Sequence, residues 1–354
     1  MIFKNIGRRI FILVAFSLEL NSVNMSDLKI RLVRKDEYEQ LMEVMNISFN
    51  FLEEKQKFEH ILPKLYFKEN KDMIHYGAFV NGKLVASVGL YFMTFVSNYY
   101  TLKVGCVGAV STHPDYRNRG YFTNVITKVI KYAKRHDFDL LFLGGNRFRY
   151  NHFGFENAGR KLVAYISQRT KGVLNSCSYD VLKLERNNLS DIEACLKLYN
   201  KEPQHVLRTL HNFYDHIISW NSEPYVVKVD GKIVGYYSIT NNMHVTEMVF
   251  QKKYLDTILE ASLGNNEAVS IELPYSLYSS KLLSKVDGYE VKHCEMYNVL
   301  NWDNVMKYLA FDKLKIDEFN KLTKVEKVRA LLGCEEFSSI FAPISMYISR
   351  CDQG

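Results

Sequence analysis

The sequence predicts an α/β protein made of two copies of one unit followed by a shorter tail. Two hairpins share one turn chemistry, the same opening precedes each of them, and a matching glycine turn lies near the end of each half. "YGAFVNGKLVASVGL" (Tyr76 to Leu90) turns at Asn81-Gly82, and "YVVKVDGKIVGYYSI" (Tyr225 to Ile239) turns at Asp230-Gly231. Both dipeptides suit the type I′ turn, whose two central residues need positive φ.

Each hairpin follows a short strand and an apolar-periodic helix, "LKIRLVRKDEYEQLMEVMNISF" from Leu28 and "YDVLKLERNNLSDIEACLKLYN" from Tyr179. The closing turns are "HFGFE" (His152 to Glu156) and "VDGYE" (Val286 to Glu290). This repetition defines units at 25–170 and 178–301 and leaves 302–354 as an extension, expected to be α+β. In the first unit the apolar run "KVGCVGAVST" (Lys103 to Thr112) leads into the turn "HPDYRNRGYF". After it, Phe122, Val125, Ile126, Val129, Ile130 and Ala133 recur at helical spacing, and "LLFLGG" (Leu140 to Gly145) follows. Strand, turn, amphipathic helix and strand is the order that joins parallel strands. In the second unit "HVTEMVF" meets "QKKYLDTILEA" with no glycine between them.

Composition narrows the class. At 354 residues and 47% apolar content the chain can bury an ordinary core. The net charge of +7 arises from 46 basic against 39 acidic residues interleaved along the chain, which argues against a nucleic-acid face and mildly favours an anionic ligand. Six dispersed cysteines without a C-x-x-C pair argue against a zinc site or a disulfide scaffold and fit a reducing, cytoplasmic setting. In residues 1–24, Lys4, Arg8 and Arg9 precede the apolar "IFILVAFSL" as in a signal peptide, but Glu19 follows and no small-x-small cleavage site is present. The run is too short for a stable membrane insertion. We read 1–24 as an extension, with a weak signal-like segment as the alternative, because "MSDLKIRLVR" from Met25 reads as the start of a domain.

The turn carries the chemistry. The first N–H groups of a helix lack intrahelical partners and lie at the positive end of its dipole, so they favour an anion. Gly120 lets backbone approach that point, and Arg117 and Arg119 can add charge-assisted hydrogen bonds to phosphate oxygens. A pyrophosphate is the natural occupant; the competing reading is an exposed basic turn. Neither G-K-[ST] nor G-x-G-x-x-G is present. His113 and His152 near the turn read as hydrogen-bonded structural residues. His205, His211 and His216 in "HVLRTLHNFYDH" read as a helix surface without metal spacing, and Cys106 as a buried apolar residue.

"VSTHPDYRNRGYF" resembles the acetyl-CoA-binding motif of the GNAT acetyltransferases, a strand and Pro-x-Tyr-Arg lead-in followed by Arg/Gln-x-x-Gly-x-Gly/Ala opening a helix. Arg117, Asn118, Arg119 and Gly120 match its first four positions, while Phe122 replaces the small residue of the sixth. With "RYNHFGFENAG" (Arg149 to Gly159) and the degenerate second copy, the chain resembles the tandem-GNAT proteins of the enhanced-intracellular-survival (Eis) type. The resemblance implies two tandem GNAT-like units of mixed twisted sheets with flanking helices. It implies no metal, and acetyl-CoA bound in the first unit as donor to a small-molecule or peptide amine. Val110, Ser111 and Thr112 would pair their main chain with the pantetheine arm, Arg117, Asn118, Arg119, Gly120, Tyr121 and Phe122 would hold the pyrophosphate, and Asn146 would lie beside the cofactor. Tyr150 would protonate the departing thiolate, unless it is a packing residue among Phe148, Phe153 and Phe155. The second unit would shape the acceptor pocket or a subunit interface, the latter making a homo-oligomer. A noncatalytic acyl-CoA-binding regulatory module is the alternative. The terminal carboxylate that serves as base in Eis-type enzymes is not carried over, because the chain ends "YISRCDQG" without the terminal aromatic.

Overall fold

The computed structural model describes residues 28–51, 57–67, 70–97, 100–277, 279–308, 315–337 and 346–354, so the expectation for 1–24 lies outside the described residues. The strands are β1 (Leu28–Leu32), β2 (Met73–Val80), β3 (Lys83–Ser97), β4 (Thr101–Thr112), β5 (Leu140–Leu143), β6 (Glu156–Ala158), β7 (Lys161–Ser167), β8 (Asp180–Lys183), β9 (Gln204–Val206), β10 (Ser222–Val229), β11 (Lys232–Thr240), β12 (His244–Phe250), β13 (Ala268–Pro274), β14 (Gly288–Lys292) and β15 (Glu295–Val299). The longer helices are α1 (Tyr38–Ser48), α2 (Tyr121–Arg135), α3 (Leu189–Tyr199), α4 (Leu255–Leu263) and α5 (Lys324–Leu332).

They form two mixed sheets, β1-β2-β3-β4-β5-β15-β6 with β9 on the far end of β3, and β14-β7-β13-β12-β11-β10-β8. Both hairpins turn where Asn-Gly and Asp-Gly predict: Asn81 and Gly82 hold φ of 50° and 78°, Asp230 and Gly231 48° and 71°. In each sheet one pair of strands is parallel, β4 with β5 and β12 with β13, and the intervening helix makes the crossover. Val125, Ile126, Val129 and Ala133 of α2 are fully buried against the first sheet, as their three- and four-residue spacing requires. On the opposite face lie α1, the residues 58–66 and the C-terminal helices. The second sheet is likewise covered by α4 on one face and α3 on the other.

The units expected at 25–170 and 178–301 exchange strands. β15, from the second stretch, pairs antiparallel with both β5 and β6, β9 extends the first sheet at β3, and β7 lies between β13 and β14. Pattern marks a segment as a strand but does not name its partner, because all backbones offer the same ladder groups. Among the described residues of 302–354 there are helices, at Trp302–Tyr308, Ile316–Asn320 and α5, and no strand, so the expected β part of that extension is not seen there.

Candidate active site

The site begins where β4 and β5 part. Their parallel register runs from Val104–Leu140 to Cys106–Phe142 and no further. Beyond it β4 continues to Thr112, still paired with β3 but with its other edge free of β5. A bulge sets the angle: the register with β3 shifts between Ser87 and Gly89, and Ala109 takes φ of 47°, an uncommon left-handed conformation for alanine. The result is a V-shaped gap edged by main-chain N–H and C=O groups. Val110 and Thr112 are half-buried along it, whereas the Ser111 side chain is buried and donates to the Ala109 carbonyl at 2.9 Å.

The turn lies at the open end of the V. Pro114–Tyr116 make one 3-10 turn, Asn118 and Gly120 take φ of 63° and 75°, and α2 starts at Tyr121. No side chain caps α2, so its first amides face outward, and a side chain at Gly120 would have met open space but a strained φ. Arg117 and Arg119 are exposed and make long bonds to backbone carbonyls, 3.4 Å to Thr112 and Ser48 and 3.2 Å to Asp115, and the Arg119 guanidinium also lies over the Tyr116 ring at 5.3 Å. Two cations beside an uncapped helix end are free to turn onto an anion. The Tyr121 side chain is buried in the core, leaving only its amide for a ligand. The Phe122 ring turns inward, edge-on to Tyr150 at 5.9 Å and to Phe153 at 5.6 Å. Its bulk is therefore spent on the aromatic cluster.

Tyr150 ends the short helix Arg147–Tyr150 that follows β5, and Asn146 caps that helix by accepting from the Phe148 amide at 2.9 Å. The Tyr150 ring lies over Gly145, where a Cβ would come 3.2 Å from Cε2. Burial pushes its phenol up, with Arg149 acting the other way, so the proton is retained at neutral pH. Phe148 is exposed and takes no part in the cluster. His113 accepts from the Asp115 amide and His152 packs on Phe153, structural roles in both cases.

Two features of this site escape sequence reading. Glu295, at the start of β15, reaches across to the end of β5, where a Cβ on Gly144 would meet its Oε2 at 3.0 Å. Burial pushes its carboxyl up to about 7; Lys161 and Arg350 draw it down and Glu272 opposes them. The second feature is the C-terminal segment. Gly354 lies on Gly108, which must lack a side chain because a Cβ there would sit 2.9 Å from Gly354 backbone, and the Gly354 amide donates to Cys106 Sγ at 3.3 Å. Thus Cys106, expected to be a simple core residue, is buried and also anchors the tail.

That segment is tied down by a buried ionic network. Arg208 makes a bidentate pair with Glu247 at 2.8 and 2.6 Å and a third bond to Asp352 at 2.8 Å. Asp352 also accepts from His216 and Tyr199, Glu247 accepts from Tyr236, and Lys64 donates to the Cys351 carbonyl. The helix-surface reading of the histidines does not hold: His205 is in β9, and His216 is buried, its pKa lowered to about 4 mainly by burial. Among the described residues no group of three or more His, Cys, Asp or Glu could hold a metal.

In the second unit the equivalent gap, between β12 and β13, is not open. Tyr347, Ser349 and Asp352 line it with Met248, Val249 and Pro274, leaving a cavity of about 40 Å³, room for water but not for a pantetheine arm. A separate pocket of about 370 Å³ opens beside the tail, lined by Trp220, Asn221, His244, Glu272 and Arg350 among others.

Residues 29–158, which contain the turn, the V and Tyr150, match the model of the acetyltransferase (GNAT) domain. No curated protein matches the chain. Over about four fifths of its length the chain is similar to solved structures. A conserved protein of unknown function from Enterococcus faecalis V583, described as a probable N-acyltransferase, is 12% identical with a TM-score of 0.64, covering 81% of this chain and 76% of that one. A GCN5-related N-acetyltransferase from Anabaena variabilis is 14% identical with a TM-score of 0.60, covering 79% and 75%. Eis1 from Mycobacterium abscessus is 15% identical with a TM-score of 0.58, covering 80% and 77%. At these identities the likeness is one of fold, and it extends beyond the GNAT domain into the second sheet. The chain has a tandem GNAT-like architecture of two mixed sheets with flanking helices, and its residues 29–158 are similar to the acetyltransferase (GNAT) domain.

Proposed function

We propose that the protein transfers the acetyl group of acetyl-CoA to a primary amine by direct attack within a ternary complex. One observation carries this reading: the uncapped, glycine-opened N-terminus of α2, with Arg117 and Arg119 beside it, lies at the open end of a V whose β4 edge has no ladder with β5 beyond Cys106. A diphosphate fits the first element and an amide-bearing arm the second. The thioester then lies near the point of the V, within reach of Tyr150. The side chain of Ser111 makes no contribution in this reading, since it is turned inward, and Val110 and Thr112 act through their backbone. Asn146 acts by holding the turn that carries Tyr150.

Release of free thiol from acetyl-CoA in the presence of ethanolamine, 1,4-diaminobutane, glycine amide and lysine amide tests the activity. Binding without release by any of them would instead support the acyl-CoA-binding module. Calorimetry should find one equivalent of acetyl-CoA per chain, because the second gap is filled by the tail. Arg117→Ala and Arg119→Ala should each weaken that binding by about 1.5 to 3 kcal/mol, the worth of a charged hydrogen bond. Unchanged affinity in both variants would remove the cradle.

A further inference from the structure

We infer that Glu295, contributed by the strand that the second stretch of chain inserts into the first sheet, is the general base that takes the proton from the attacking amine. The inference rests on the acetyl-transfer reading above. Side chains alternate across a strand. Met296 lies in the core beneath α2, so Glu295 and Tyr297 point to the opposite face, with Cys106 and the tail. Tyr150 belongs to the α2 side and overlies Gly145, while Glu295 overlies Gly144. The two groups therefore flank the end of β5 from opposite faces of the sheet, with the point of the V beside them. A thioester held there has an acid on one face and a carboxylate on the other.

The carboxylate is available. Among the described residues none donates a hydrogen bond to it, although most of it is shielded from water. The charges that face it are committed elsewhere. Lys161, from β7, pairs with Glu272 of β13 at 2.9 Å, and His244 of β12 reaches the same Glu272 oxygen at 3.3 Å. Arg350, from the tail, stacks its guanidinium over Trp220 at 4.5 Å. Cys106 of β4 and Cys294, just before β15, are also within its field, and burial keeps both as thiols. A structural carboxylate this shielded would ordinarily carry a partner. Arg350 and Glu272 also line the 370 Å³ pocket beside the tail.

The step balances. The amine nitrogen bonds to the acetyl carbonyl carbon and passes a proton to the Glu295 carboxylate. The carbon–sulfur bond breaks as the tetrahedral adduct collapses, and the thiolate takes the Tyr150 proton. The Glu295 proton returns to the Tyr150 phenolate through solvent, leaving an amide, free thiol and both residues as they began.

The test is the pH profile of kcat/KM for wild type and Glu295→Gln in the full chain, with ethanolamine and with hydroxylamine, which is already unprotonated at neutral pH. A base must be ionised, so wild-type activity rises with pH through about 7. With hydroxylamine, whose own ionisation adds no limb above neutral pH, the glutamine variant should lose that ascending limb, and with ethanolamine it should fall roughly 10²-fold at pH 8. With hydroxylamine the loss should be about tenfold smaller, and acetyl-CoA affinity should stay within about twofold, since no charge that meets the diphosphate is altered. A variant that keeps the limb, or stays within about threefold of wild type, would overturn the assignment, as would lost acetyl-CoA affinity with an unchanged profile. Failure of the transfer reading looks different: wild type itself would bind acetyl-CoA and acetylate neither nucleophile.

Discussion

Tyr150→Phe is expected to lower turnover by about 10²- to 10⁴-fold, the usual worth of a general acid, with acetyl-CoA affinity little changed. The substitution keeps the ring, and so keeps its edge-on contacts with Phe122 at 5.9 Å and Phe155 at 6.4 Å. It removes only the hydroxyl. That separates the two roles the sequence allowed, because a packing tyrosine in this cluster loses nothing that the phenylalanine does not supply. Burial pushes the phenol pKa up, so the acid form persists through the neutral range and the defect should be flat with pH. Steady-state thiol release with the best amine, on protein whose melting temperature matches wild type, checks it. Turnover within about threefold would put the acid elsewhere, far short of what such a group contributes.

Removing the cation at the centre of the tail network should cost the fold dearly. The Arg208 side chain is fully buried, and it satisfies two carboxylates that water cannot reach. Burial alone would push the Asp352 carboxyl up, but the Arg208 charge and the His216 hydrogen bond hold it well below the usual carboxylate range. Arg208→Met leaves Glu247 and Asp352 charged, close together and unpaired. The expected loss is about 3 to 5 kcal/mol by urea denaturation, the range for breaking a buried ion pair from one side. Combining Arg208→Met with Glu247→Gln and Asp352→Asn removes the stranded charges and should recover part of it. A single variant as stable as wild type would show that the carboxylates find protons or water at little cost. The network also carries consequences for the site, since Asp352 stands two residues before Gly354 on the strand that holds Gly108.

How far each element was legible follows from where its information lies. Helix α2 was legible because Val125, Ile126, Val129 and Ala133 report their own environment by spacing alone. Both hairpins were legible because Asn-Gly and Asp-Gly encode a backbone conformation locally. The anion turn was too: two cations, a positive φ at Gly120 and the unpaired helix end at Tyr121 all lie between Arg117 and Tyr121. The inward turn of the Phe122 ring was not legible, because a residue's type shows its bulk but not the direction its ring takes.

What lies far apart in the chain was decided only by tertiary structure. Glu295 reads as an unremarked residue at the head of a strand, and it becomes a site residue because β15 is inserted between β5 and β6. Glu247 and Asp352 lie 39 and 144 residues from Arg208, and no local pattern links charges at such distances. The sequence by itself determined that this protein has two α/β repeats and one glycine-arginine turn suited to a diphosphate, since turn chemistry and periodicity are properties of neighbouring residues. Only the tertiary structure decided which strands share a sheet, that the tail fills the second gap and reaches the first, and that a carboxylate faces Tyr150 across the end of β5. Those are choices among equivalent backbone partners, made by which faces bury together, and that competition has no signature in any single segment.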